Sequence, residues 1–166
     1  MRTNLIKVLA LSAIIGASVI AGCKKTEDTT PATNTGNNGG LTGKSFYCKL
    51  DGKEFSTSNG RYYKSNDSLF QIVGDTTYTT IEIYVPSTKT GTYTTNDSTF
   101  NVKSGKAFAT VFINEGWKHY KSTKGAVIIT KSEDGKLSGT FSYTAESKEG
   151  KVEVTAGEFN NIVKKN

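Results

Sequence analysis

One dipeptide limits what this chain can fold into more than any other feature. Asp51-Gly52 sits between Ser45-Phe46-Tyr47-Cys48-Lys49-Leu50 and Lys53-Glu54-Phe55-Ser56-Thr57. Asp-Gly between two apolar-alternating runs is the strongest short-range mark of a β-hairpin, because a two-residue type I′ turn needs positive φ at both central positions. A two-residue loop there sets Leu50 opposite Lys53, Lys49 opposite Glu54 and Cys48 opposite Phe55. The charged pair then shares the wet face, and Cys48 and Phe55 meet on the other. Turn chemistry, charge and burial agree on one register.

The same reading extends along the chain. In Tyr78–Val85, Ile81, Ile83 and Val85 take one face and Tyr78, Thr80, Glu82 and Tyr84 the other, until Pro86 ends the run. Lys106–Ile113 is apolar on both faces, as a central strand would be. Asn114-Glu115-Gly116 then turns the chain into Trp117–Lys121. Gly125–Lys131 and Lys136–Glu146 flank Ser132-Glu133-Asp134-Gly135 as a second hairpin, with Val127 and Ile129 opposite Leu137, Phe141 and Tyr143. Lys151–Val163 closes the chain with Val152 and Val154 inward. No segment after Leu41 repeats with the period of a helix. The expected fold is all-β: a single antiparallel β-sandwich of about eight to ten strands, with a lipocalin-like β-barrel as the alternative. Tyr63–Ile72 and Tyr93–Val102 echo one another around Asn-Asp-Ser, which reads as two similar hairpins.

The N-terminus has a different character. Arg2 and Lys7 precede Val8–Ile20, thirteen residues without a charge. As a helix that run is about 20 Å long, too short for a bilayer core of about 30 Å. It suits the apolar region of a signal peptide. Ile20-Ala21-Gly22-Cys23 resembles the lipobox of bacterial lipoproteins. That resemblance implies cleavage before Cys23, a diacylglycerol on its thiol and a further acyl chain, such as palmitate, on the new N-terminus. Two or more chains hold a protein stably on a membrane. Residues 24–40 contain no large apolar side chain, so a disordered tether is expected, spanning about 25 Å on average. The expected organisation is therefore a cleaved signal peptide over 1–22, a lipidated cysteine and tether over 23–40, and one β-rich domain over 41–166.

Charge excludes one function class. The chain has 21 Lys and Arg against 15 Asp and Glu, and losing Arg2 and Lys7 takes the net charge from +6 to +4. The excess is spread out, with no basic block, so nucleic acid is not an expected partner. With Cys23 lipidated, Cys48 is left without a cysteine to pair with, and it reads as a small buried hydrophobe.

Phe46–Thr57, Gly91–Thr95, Val127–Ala145 with its Gly-Thr-Phe-Ser run, and Gly157–Ile162 together resemble the small Bacteroidetes lipoproteins of unknown function. The resemblance implies a β-rich domain behind a lipid anchor, and no activity. Lys24, Glu27 and Asp28 after Cys23 resemble the export signal of surface lipoproteins. The implied location is the outer membrane, facing the cell surface, with the periplasmic face as the alternative.

Catalytic chemistry finds little support in the residues. His119 is the one histidine, and a zinc site needs three or four ligands. There is no Gly-x-Ser-x-Gly elbow and no phosphate-binding glycine loop. The Asn66-Asp67-Ser68 and Asn96-Asp97-Ser98 loops offer fewer oxygens than the six to eight that calcium takes. No cofactor, metal or catalytic residue is expected, and the chain is not read as an enzyme. The aromatic residues are the better material. Tyr78 and Tyr84 on one outward face, with Trp117 and Tyr120 nearby, would form a flat surface for a glycan or a partner protein, and Tyr62 and Tyr63 are expected to be partly exposed too. The expected function is a lipid-anchored, non-catalytic binding or accessory module. The alternatives are a hydrolase with an unrecognised site and a barrel carrier of a small apolar ligand.

Overall fold

The computed structural model describes residues 41–66, 69–95 and 105–166. The signal peptide, Cys23, the tether and most of the two Asn-Asp-Ser loops lie outside the described residues. Ten strands follow in order: β1 (Phe46–Leu50), β2 (Lys53–Thr57), β3 (Arg61–Asn66), β4 (Leu69–Asp75), β5 (Thr79–Val85), β6 (Gly91–Thr95), β7 (Lys106–Ile113), β8 (Lys118–Glu133), β9 (Lys136–Ser147) and β10 (Gly150–Lys165). The described residues contain no helix.

The first hairpin has the register that its sequence predicts, with Cys48 opposite Phe55, Lys49 opposite Glu54 and Leu50 opposite Lys53. Asp51 and Gly52 have φ of 48° and 79°, the positive pair that a type I′ turn requires. The second hairpin turns on Asp134 and Gly135 alone, with φ of 50° and 70° and Glu133 opposite Lys136. Its loop is therefore two residues shorter than the four-residue one read from the sequence.

All ten strands belong to one sheet. The pairings run β3–β4–β5–β7–β8–β9–β10, and β10 bonds β3 again through Val163 opposite Arg61. β6 fits between β7 and β8, and the β1–β2 hairpin is attached to β10. The all-β, mainly antiparallel class and the strand number are those expected. The layers that face each other across the core are parts of one continuous sheet.

That core rests on glycines opposite phenylalanines. Gly139-Thr140-Phe141 on β9 runs antiparallel to Gly157-Glu158-Phe159 on β10, so Phe141 is opposite Gly157 and Gly139 is opposite Phe159. A Cβ on Gly157 would strike the Phe141 ring, and one on Gly139 would strike the Phe159 ring and the Ile128 carbonyl. The Phe141 and Phe159 rings stack with centroids 6.3 Å apart. Phe46 on β1 reaches across to Gly74 of β4, which it does not pair with, and its ring lies 5.1 Å from that of Phe141. The Gly-Thr-Phe-Ser run is thus a packing device, in which each absent Cβ is filled by a ring from the neighbouring strand. Cys48 is buried in the same core. Burial pushes its thiol up to about 12, so it is an unreactive apolar group.

Candidate functional site

Two turns meet at one rim of the sheet. In the β4–β5 turn, Thr76 N–H donates to the Thr79 carbonyl at 2.9 Å, and Thr79 N–H donates back to Thr76 Oγ1 at 3.1 Å. Tyr78 is therefore carried in this turn, one residue before β5. The β7–β8 turn closes through Trp117 N–H on the Asn114 carbonyl at 3.2 Å. Thr79 and Lys118 both lie opposite Ile113, which sets the two turns side by side. Asn114 joins them: its backbone N–H donates to the Tyr78 carbonyl at 2.8 Å, and its Nδ2 donates to the Thr77 carbonyl at 2.8 Å.

Between the turns runs an open groove of about 740 Å³. Thr77, Tyr78 and Thr79 line one side, and Ile113, Asn114, Glu115 and Trp117 the other. Tyr78 is 71 % exposed and Trp117 is 80 % exposed. Trp117 also has a φ of 54°. A bulky side chain there costs about 1 to 3 kcal/mol. Its ring meets half-buried Phe112, 6.0 Å away and edge-on. Phe112 in turn meets exposed His119 at 6.2 Å.

The structure brings together two of the four aromatic residues proposed from the sequence. Tyr84 is a correction. It lies on the outward face of β5, yet it is only 8 % exposed, because Leu69 and Phe108 pack with it in a second, smaller cluster. Its hydroxyl accepts from Gln71 Nε2 at 3.0 Å and donates to Glu82 at 2.8 Å. Burial, and then the Glu82 carboxylate, hold that hydroxyl well above the usual tyrosine range. Tyr120 is the second correction, at 6 % exposure in the main core. The cause is a bulge in β8 between Ser122 and Lys124. Before it, even-numbered Tyr120 and Ser122 point inward; after it, odd-numbered Val127 and Ile129 do. Ser122 is satisfied there by accepting from Ala109 N–H at 2.9 Å. Tyr62 is buried in the core as well, against its expected exposure, and Tyr63 is half-buried.

Sequence reasoning missed Asn114 and Phe112. Asn114 was legible only as a turn residue, and its bridging role depends on a contact 37 residues away in the chain. Phe112 was visible as part of a two-sided apolar strand but not as the support of Trp117. Other placements bear on the alternative functions. Among the described residues, no three His, Cys, Asp or Glu side chains gather as a metal site would require. His119 stands against Phe112, and among the described residues no carboxylate pair gathers around it. The interior that a carrier would keep open is occupied by Phe46, Phe141, Phe159, Leu137 and Ile162.

Residues 43–163 match the family described as a domain of unknown function (DUF6252), and the chain belongs to that family. No curated protein matches the chain, and no solved structure does.

Proposed function

We propose that this DUF6252 domain is a non-catalytic binding module, held to a membrane by lipid on Cys23, whose contact site is the groove between Tyr78 and Trp117. The observation that carries the reading is Trp117 itself. It is 80 % exposed and held at a φ of 54°. Neither burial nor turn geometry rewards a tryptophan there. A residue that the fold does not reward is best explained by what it contacts outside the fold.

The topology supports an outward-facing site. The chain comes into the domain beside β10, where the Ser45 carbonyl accepts from Asn160 N–H at 2.9 Å. β1 runs away from that point to the Asp51-Gly52 turn, which bonds Glu153. From there the rim continues through Lys151 opposite Glu146 and Glu146 opposite Lys121, to the start of β8 and the Trp117 turn. The described chain therefore begins at the far end of β1 from this rim. A lipid on Cys23 would then leave the groove unobstructed by the attachment point, at the outer membrane surface or, in the alternative, in the periplasm.

The test has two arms. Cys23→Ala should move the protein out of the detergent phase, and continued acylation and membrane fractionation would refute the anchor. Arrays of glycans and of envelope proteins should give signals with the wild type that vanish in a Tyr78→Ala/Trp117→Ala variant with unchanged melting. Equal signals from both proteins would remove the groove as the site.

A further inference from the structure

We infer that the occupant of this groove is a neutral carbohydrate chain; the inference rests on the binding reading above. Three observations carry it. The lining mixes rings with hydroxyl and amide groups: Tyr78 and Trp117 stand among Thr77, Thr79 and Asn114, with Ile113 as the one aliphatic member. A sugar ring has the matching character, with apolar C–H faces that stack on aromatic rings and a polar edge of hydroxyls that need donors and acceptors. Ring faces with polar tips suit such amphipathic partners.

The second observation is size. Seven residues line the groove, whereas a stable protein interface takes about 20 to 30 residues from each side. Beyond the groove, the large apolar side chains exposed among the described residues are reduced to Val163, on the C-terminal strand. The groove has room for a few sugar units, whereas a protein interface of standard size would have to extend well beyond it over polar surface. Phe112 and His119 extend the aromatic path beyond Trp117, which suits a chain more than a single sugar.

The third observation is charge. The lining holds one ionisable carboxylate, Glu115, and no basic side chain. An acidic polysaccharide would bring its charges against Glu115 with no cation in the lining to meet them. Neutral hydroxyls can donate to that carboxylate, and such charge-assisted bonds are stronger than neutral ones.

The chain contains one tryptophan, so its emission reports the groove directly. The mature protein should be titrated with neutral cello-, xylo- and manno-oligosaccharides and with acidic oligogalacturonate. At least one neutral series should shift the emission saturably, more tightly as the chain lengthens. Tyr78→Ala should weaken that binding by about two- to tenfold. Calorimetry should show the same sugar binding lost in Trp117→Ala and partly kept in Trp117→Phe. Tighter binding of oligogalacturonate than of any neutral sugar would overturn the neutral assignment. If no sugar binds, while the arrays yield a protein whose signal is lost in the Tyr78→Ala/Trp117→Ala variant, the ligand class is wrong and the binding module stands. If neither kind of ligand depends on these two side chains, both readings fall.

Discussion

The β9–β10 pair and the β7–β8 turn use the same two ingredients, a glycine and a large aromatic residue, to opposite ends. On β9 and β10 each glycine leaves the space that a phenylalanine fills, and Phe141 and Phe159 disappear from solvent. In the turn, Gly116 with a φ of 76° helps reverse the chain, and the next residue, Trp117, stands 80 % exposed. The first arrangement is dictated from all sides by backbone and rings. The second is dictated by almost nothing within the fold. The contrast separates side chains that the fold requires from those that it merely carries, and only the latter are free to be kept for a ligand.

The comparison breaks first if the interlock has slack. Gly157→Ala and Gly139→Ala should each cost about 3 kcal/mol in urea unfolding, because the added methyl meets a ring and a carbonyl that cannot both yield. A cost below about 1 kcal/mol would mean that the phenylalanines are not confined by the glycines. The chain holds two cysteines, so in a Cys23→Ala background Cys48 alone remains to be labelled. Its modification should be slow in the parent and faster in either glycine variant, in step with the loss of stability.

The next effect lies at the rim, where glycine is needed for its conformation. Gly52 is at a φ of 79° with open space around its missing Cβ, so Gly52→Val should cost about 1 to 3 kcal/mol through strain alone. Thermal melting that is unchanged would show that the turn adapts. Trp117→Gly is expected to act in the opposite direction, leaving stability unchanged or raising it by up to about 1 kcal/mol as the strained φ is relieved. A loss of more than about 1 kcal/mol would make Trp117 a residue that the fold requires, and the contrast would fail.

The smallest effect concerns Glu158, which lies between Gly157 and Phe159 on β10 and faces outward beside Tyr47 and Thr140. Partial burial raises its carboxyl above the usual range. A raised folded-state value means that ionisation is harder in the folded protein. The group therefore favours folding most at low pH, and that contribution is lost as pH rises through its folded-state value. Glu158→Gln should be slightly more stable than the wild type at neutral pH, and the difference should fade on acidification below the ordinary carboxylate range. A difference that is constant with pH would show that the carboxyl titrates as it does in water.

Much of the fold was legible because local chemistry repeated one message. Asp51-Gly52 fixed a register in which Cys48 meets Phe55, and Ile81, Ile83 and Val85 announced the inner face of β5. What stayed hidden depended on events that period-two reading cannot count. The bulge near Thr123 reverses the inward phase of β8 and draws Tyr120 into the core. Gly125 does not interrupt that strand, which continues for 16 residues. Tyr84 was placed on the correct face, but that face is covered where Phe108, registered opposite it, brings a ring within 6.0 Å. The two-sided apolar character of β7 was the available clue that the outer surface there is not all solvent. The groove itself joins residues of two turns more than thirty positions apart, bridged by Asn114 to Thr77, and no local pattern encodes that meeting.

β10 is the last strand in chain order, and it bonds β9 along one side and both β1 and β3 along the other. Glu153 N–H reaches back to Asp51 across 102 residues of chain. A polypeptide emerging from its N-terminus therefore cannot complete the ladder until its final segment is free. Such long-range closure is slow, since the entropy of the loop is lost before its contacts form. β1, β3 and β9, which pair with one another nowhere among the described residues, are joined only when β10 is in place.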